Sequence, residues 1–101
     1  MDLTVVDVPE RERFEAREAG GAVAGVLTYQ VTGPIIVLTH TDVGDRPDGR
    51  EVEDALLRAA MEDARDKERT VVPMSPAVTA WLDSHREFEK IVARSTKKIR
   101  K

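Results

Sequence analysis

One long amphipathic segment places the tightest constraint on the fold. Between residues 50 and 69, apolar side chains recur at i, i+3, i+4, i+7, i+8 and i+12, and charged residues fill most other positions. This is the period of an α-helix with one buried face. The apolar positions are Val52, Ala55, Leu56, Ala59, Ala60 and Ala64. Strand-like apolar runs flank the segment, so the pattern predicts a strand–helix–strand crossover, which is right-handed when the strands are parallel.

Short β-branched runs and turn signals organise the rest of the chain. We predict strands over residues 3–8, 11–17, 22–32, 35–43 and 70–74, and helical segments from Pro76 onward and over 87–94. Gly25, inside the third strand, predicts a bulge or a close approach of the backbone. The apolar start of the fourth strand predicts burial on both faces. The order indicates an α+β fold, with a mixed, mostly antiparallel five-stranded sheet, a β4–α–β5 crossover helix and C-terminal helices.

Composition excludes several classes of function. A net charge of −3 over 101 residues gives no general attraction to nucleic acid or to an anionic membrane. The absence of cysteine excludes disulfides, thiolate metal sites and cysteine nucleophiles. Without a long apolar run or a signal-peptide pattern, we expect a cytoplasmic protein. The length predicts a single domain over residues 1–95, followed by a basic, disordered tail over 96–101.

The turn before the long helix is strongly acidic. Such strand–turn–helix junctions commonly hold an anionic ligand, because unpaired N–H groups and the helix dipole point at it. Here the junction carries Asp48, Glu51, Glu53 and Asp54. These carboxylates also suit a helix N-terminus, so we expect the helix to be satisfied by its own acids. Arg50 is then the residue of the turn that could still meet an anion. The acids do not match the spacing of a calcium-binding loop, and no metal site is predicted.

Three motifs resemble the small single-domain subclass of the GNAT N-acetyltransferase superfamily. Residues 40–43, His-Thr-Asp-Val, match its histidine–threonine–acid–valine strand end. Residues 63–65, Asp-Ala-Arg, match the end of its alanine-rich helix, and residues 71–76 match a Val-Val-Pro-x-Cys-Pro segment with Ser75 at the cysteine. The late histidine of the following helix is matched by His85. The resemblance spans about residues 3–92 and implies the GNAT fold.

The resemblance also implies a cofactor, acetyl-coenzyme A, whose acetyl group passes to a small-molecule or protein amine. By this resemblance the cofactor-binding positions are Val43, Gly49, Arg50, Glu51, Val52, Glu53 and Asp54. The pyrophosphate-binding turn of the family reads Arg/Gln-x-x-Gly-x-Gly/Ala. In this chain Asp48 stands at the basic or amide position, and Glu51 and Glu53 stand at the small ones, so the motif is degenerate. A carboxylate about 5 Å from a phosphate charge repels it by roughly 1 to 3 kcal/mol.

Few side chains are candidates for the chemistry of acetyl transfer, which needs a deprotonated amine and an acid for the departing thiolate. His40 is the candidate base, with Asp42 on the same side of the strand; packing at the sheet edge is the alternative. Ser75 is a third candidate, although its position before Pro76 equally predicts a helix N-cap. We expect Tyr29 in the core or at an edge and His85 on the surface. Two functions remain open: an N-acetyltransferase, or a non-catalytic GNAT-fold binding or regulatory module that has lost acetyl-coenzyme A.

Overall fold

A five-stranded sheet whose strands lie in sequential order carries the fold. The computed structural model describes residues 3–93, so the predicted basic tail lies outside the described residues. The strands are β1 (Leu3–Val8), β2 (Arg13–Glu18), β3 (Val23–Thr32), β4 (Ile35–Asp42) and β5 (Thr70–Pro73). The first four pair antiparallel, and β4 and β5 pair parallel. The predicted mixed sheet is therefore confirmed.

The crossover helix supplies one side of the core. Helix α1 (Gly49–Asp66) connects β4 to β5, and helix α2 (Pro76–Asp83) follows β5. The α1 residues exposed by 1% or less are Val52, Leu56, Leu57, Ala60, Met61 and Ala64. They form one core cluster with Phe14, Leu27, Ile36 and Leu38 of the sheet. Leu57 and Met61 were not among the predicted core positions, and Ala55 and Ala59 are only half-buried. The buried face of α1 therefore includes the larger side chains of Leu57 and Met61 in place of Ala55 and Ala59.

Two predicted details are wrong at the edges of this architecture, and the last predicted helical segment is confirmed in 3₁₀ form. Strand β2 begins later than predicted, because Pro9–Arg11 form a 3₁₀ helix and Glu12 closes it with a φ of 54°. The helical segment predicted at 87–94 is a 3₁₀ helix over Arg86–Ile91. The start of β4 is not buried on both faces: Ile36 and Leu38 are buried, whereas Ile35 is 39% exposed, because alternate residues of a strand point to opposite faces of the sheet. Among residues 3–93, no helix has the length and apolarity needed to span a membrane.

Gly25 marks a close approach, as predicted. A Cβ atom there would lie 2.8 Å from Cγ1 of Val52 in α1 and 2.9 Å from Cγ1 of Val43. These distances are shorter than a normal carbon–carbon contact. The pairing of β2 with β3 also shifts its register beside this glycine, where Ala16 pairs with Gly25 but Arg17 pairs with Val23. Both features bring the start of α1 down onto the sheet, next to the end of β4.

Candidate functional site

Strands β4 and β5 stop pairing before β4 ends. Their last register pair is Leu38 with Pro73, and the amide of Met74 donates to the carbonyl of Leu38 over 3.0 Å. Beyond this point β4 continues beside β3 alone in the described sheet. The β3–β4 register shifts between Thr28 and Tyr29, which leaves Thr39 as an extra residue in β4. Such bulges bend a strand and often lie beside active sites. The last residues of β4 therefore carry an unpaired side that faces the end of β5.

The turn that follows β4 is packed through a glycine. Gly49 is the first residue of α1, and a Cβ atom there would lie 2.9 Å from Cγ2 of Val43. Val43 is thus held between Gly25 on one side and Gly49 on the other. The carbonyl of Asp48 accepts from the amides of the third and fourth helical residues, at 3.0 and 3.1 Å. The N-terminus of α1 is therefore held beside the unpaired end of β4.

Arg46 controls the charge of this turn. Its Nε lies 2.5 Å from Oδ1 of Asp48, and its Nη2 lies 3.2 Å from Oδ2 of Asp48 and 2.6 Å from Oε2 of Glu18 in β2. The hydrogen bond from Arg46 holds the pKa of Asp48 below its usual range, and the same bond raises the pKa of Arg46. Asp48 occupies the N-cap position but makes no capping bond. The expectation that the helix is satisfied by its own acids is therefore wrong for Asp48.

The two glutamates of the turn lie differently. Glu51 is exposed, whereas Glu53 is half-buried. The hydroxyl of Thr41 in β4 donates to Oε2 of Glu53 over 3.2 Å. The Glu53 carboxylate is consequently placed between the start of α1 and the unpaired end of β4, and Glu51 lies in solvent at the helix start.

A groove of about 390 Å³ runs between α1 and α2. Its lining residues are Arg50, Glu53, Asp54, Ala77, Ala80, Trp81, Ser84 and His85. Trp81 donates from Nε1 to Asp54 over 2.9 Å, and the ring of His85 stacks on Trp81 at 3.7 Å between centroids. Nδ1 of His85 donates to the carbonyl of Trp81, because a carbonyl can only accept. Nε2 then lies 3.7 Å from the Asp54 carboxylate.

His85 is therefore a half-buried wall of this groove, and the expectation of a surface histidine is wrong. The signal for this position was available in the sequence. Trp81 and His85 are four residues apart in the sequence, a spacing that places two side chains on the same face where a helix continues, and His85 follows closely after the end of α2 at Asp83. Asp54 was predicted from the resemblance, but its contact with Trp81 was not.

His40 and Asp42 lie on the other side of the sheet. Thr41 pairs with buried Leu27 and contacts α1 through Glu53, so its neighbours along β4 point to the opposite face. Both side chains are exposed. Oδ1 of Asp42 accepts from the amide of Gly44 at 3.0 Å and thereby shapes the turn. In residues 3–93 no group of three or more metal-binding side chains converges.

Ser75 and Tyr29 both have structural partners. Oγ of Ser75 accepts from the amide of Ala77 over 3.2 Å, which confirms the predicted N-cap of α2. Tyr29 is 6% exposed, and its hydroxyl donates to Asp7 in β1 over 2.5 Å. Burial is the main cause that raises the pKa of the Tyr29 phenol, and the Asp7 bond adds to it. Tyr29 thus lies in the core, which is one of the two positions that the sequence left open for it.

Comparisons with known proteins agree with this geometry. A family model described as GCN5-related N-acetyl-transferase matches residues 13–91. The chain is similar in structure to a GCN5-like protein from Staphylococcus aureus solved by NMR, with a TM-score of 0.71 and 20% sequence identity over 97% of this chain and 95% of that one. No curated protein sequence gives a significant match. The family match spans strands β2 to β5, both helices, the turn and the groove between them.

Proposed function

Because the chain belongs to the GCN5-related N-acetyltransferase family, we propose that it transfers the acetyl group of acetyl-coenzyme A to a small-molecule or protein amine. The observation that carries this proposal is the early end of β4–β5 pairing beside the N-terminus of α1. An unpaired strand end, a helix N-terminus and a groove of about 390 Å³ adjoin one another there. This combination suits a ligand with an anionic centre and an extended arm.

The residues present fit such a cofactor in part. Gly49 is buried and has no side chain to block the first turn, and Arg50 adds a cation to the adjoining groove. The amides of Gly49 and Glu51 already donate to the carbonyls of Arg46 and Asp48, so the amide of Arg50, above Val43 and Val52, is the first-turn donor that would hold the diphosphate. Glu51 and Glu53 oppose it, because their carboxylates flank the same turn. We therefore expect a working site whose affinity for the cofactor is lowered by these two side chains.

We assign the parts of the proposed reaction to groups on the two faces of the sheet. When bound, acetyl-coenzyme A would supply an activated acetyl group. His40 lies on the face opposite to α1, so we assign it the proton of an amine that arrives from that face. Asp42 shapes the turn beside His40 through its bond to Gly44. Ser75 keeps a hydroxyl hydrogen after capping α2, and this hydroxyl would donate a hydrogen bond to the departing thiolate, which keeps its negative charge.

Titration with acetyl-coenzyme A tests the proposal. Ligand at about a hundredfold over the dissociation constant should stabilise the protein by about 2.7 kcal/mol, seen as a higher melting temperature, with amide shifts confined to residues 43–56. With an amine that is acetylated, His40→Ala should lower turnover by about 10²- to 10⁴-fold. Gln30→Ala, at an exposed position of β3, should leave turnover unchanged. The absence of any response at millimolar acetyl-coenzyme A would exclude the enzyme.

One observation favours a second function, that of a GNAT-fold binding or regulatory module without acetyl-coenzyme A. The Glu53 carboxylate already reaches the β4 end through Thr41 and completes the polar contacts there. The double variant Glu51→Gly/Glu53→Gly discriminates between the two functions. A parent chain that ignores the cofactor and a double variant that binds it would identify a domain that has lost its ligand. Equal binding by both would show that the carboxylates are not the obstacle.

A further inference from the structure

We propose that Arg46 binds the cofactor's diphosphate in this chain, in place of the basic residue whose position Asp48 occupies. This inference rests on the proposed function and assigns the anion-binding side chain of that site. It starts from the turn itself, where the acid of position 48 is joined to an arginine two residues earlier. A charge that the motif lost at one position is thus present at another.

The location of Arg46 brings its cation to the first turn of α1. Its carbonyl accepts from the amide of Gly49 at 3.2 Å, and its Cγ would lie 3.9 Å from a Cβ atom at Gly49. The arginine side chain therefore passes over the glycine whose amide begins the helix. Arg50 lies on the other side of the same turn, in the groove wall. An anion at the helix N-terminus would meet a guanidinium on each side.

The geometry of the Arg46 guanidinium suits a phosphate. It presents a fork to Asp48, with Nε and Nη2 directed at the two carboxylate oxygens. Arginine binds carboxylates and phosphates through this same pair of parallel donors. The arginine side chain is 27% exposed and that of Asp48 is 25% exposed, so the pair is accessible to a ligand. Asp48 thus occupies the position on Arg46 that a phosphate would take.

The surrounding contacts favour an exchange of partners over a purely structural ion pair. Asp48 leaves the helix N-terminus without a side-chain cap while it contacts Arg46. Glu18 contacts Nη2 independently over 2.6 Å, so the arginine stays anchored to β2 when Asp48 is displaced. A diphosphate would therefore replace one carboxylate without releasing the side chain. Partly exposed pairs of this kind contribute little to folding.

A double-mutant cycle tests the assignment with the full chain. Binding of coenzyme A and of inorganic pyrophosphate is measured by calorimetry at low salt for the parent, Asp48→Asn, Arg46→Ala and the combined variant. We expect Asp48→Asn to bind severalfold more tightly, because the competing carboxylate is gone. Adding Arg46→Ala to Asp48→Asn should then weaken binding by about tenfold or more. Arg46→Lys should fall between the two, since it keeps the charge and loses the fork.

The cycle separates a phosphate ligand from a residue that only neutralises Asp48. If Arg46→Ala has no effect once Asp48→Asn is present, the assignment is overturned. Arg65→Ala is the matched control, because Arg65 is exposed in the last turn of α1, at the opposite end of the helix from this turn, and should leave binding unchanged. Circular dichroism confirms that each variant is folded. If no variant binds coenzyme A at millimolar concentration, the proposed function fails together with this inference. Binding that is indifferent to Arg46 removes the inference alone.

Discussion

The two ends of α1 obey different physics. Toward its C-terminal half the helix buries Leu56, Leu57, Ala60, Met61 and Ala64, each exposed by 1% or less. Stability there follows the apolar area removed from water, which is nearly independent of direction. The N-terminal end is instead a set of charged side chains whose effect depends on which partner each one contacts. The apolar half of α1 therefore determines mainly the stability of the fold, and its charged N-terminal end determines mainly the electrostatics of the candidate site.

A small packed joint connects these two ends. Val43 lies between Gly25 and Gly49, and Val52 contacts the same glycine of β3 from above. A substitution among these residues should therefore affect both the packing of the core and the position of the turn between β4 and α1. Substitutions in the core, in the joint and in the turn should therefore separate stability from binding to different degrees.

The largest effect on folding is expected in the apolar half of α1. Leu57→Ala removes a fully buried side chain and leaves a cavity, so we expect the free energy of unfolding to fall by about 2 to 5 kcal/mol. The affinity of the folded fraction for coenzyme A should not change, because Leu57 lies eight residues after Gly49, the first residue of α1. Urea denaturation and calorimetry measure the two quantities, with exposed Glu62→Ala as the control. A loss of affinity would break the separation between the two ends.

Gly25→Ala should combine both effects at a smaller cost in stability. The new Cβ atom would meet Val52 and Val43 at 2.8 and 2.9 Å, and overpacking of this kind costs about 1 to 3 kcal/mol. Because Val43 and Val52 support the turn, coenzyme A affinity should fall as well. Gly20→Ala is the matched control, since nothing lies within 4 Å of its Cβ position. A lower stability with an unchanged affinity for coenzyme A would show that the packing around Gly25 does not influence the site.

Ser75→Ala tests the N-terminus of α2, which lies outside the turn between β4 and α1. Loss of the cap on α2 should lower the free energy of unfolding by about 1 kcal/mol. Ser75→Asp keeps a capping oxygen, so it should restore stability. Activity separates the cap from the proposed thiolate donor, because aspartate at pH 7 cannot donate a hydrogen. A Ser75→Asp variant that is stable and as active as the parent would remove Ser75 from the reaction.

The difference between the two ends of α1 also explains what the sequence predicted well. A repeating apolar spacing indicates the type of an element and its buried side, so the crossover helix and the five strands were predictable, and a glycine inside a strand predicted the close approach at Gly25. Partner choice leaves no such periodic signal. Nothing in the order Arg-Pro-Asp tells whether Asp48 caps the helix or pairs with Arg46, whose guanidinium also contacts Glu18 in a distant strand. The same reason hid the contact between Asp54 and Trp81.

The smallest effect is expected at Asp48, and it depends on pH. The bond from Arg46 depresses the pKa of Asp48 in the folded chain below its ordinary value of 3.8. The ionised carboxylate therefore stabilises the fold above that value, and this stabilisation is lost as the pH falls through the depressed folded pKa. Asp48→Asn should be slightly less stable than the parent at neutral pH, and the difference should vanish in acid.

Asp66→Asn, at the other end of α1, provides the comparison for this pH dependence. An acid near a helix C-terminus faces the negative end of the dipole, so its removal should leave stability equal or slightly higher at neutral pH. Denaturation curves of both variants and the parent, recorded between neutral and acidic pH, measure the contrast. If Asp48→Asn binds coenzyme A more tightly and folds less stably than the parent, the ion pair between Arg46 and Asp48 stabilises the fold and lowers the affinity for coenzyme A. Identical pH profiles for the two variants would show that the pairing of Asp48 does not set the charge of the turn.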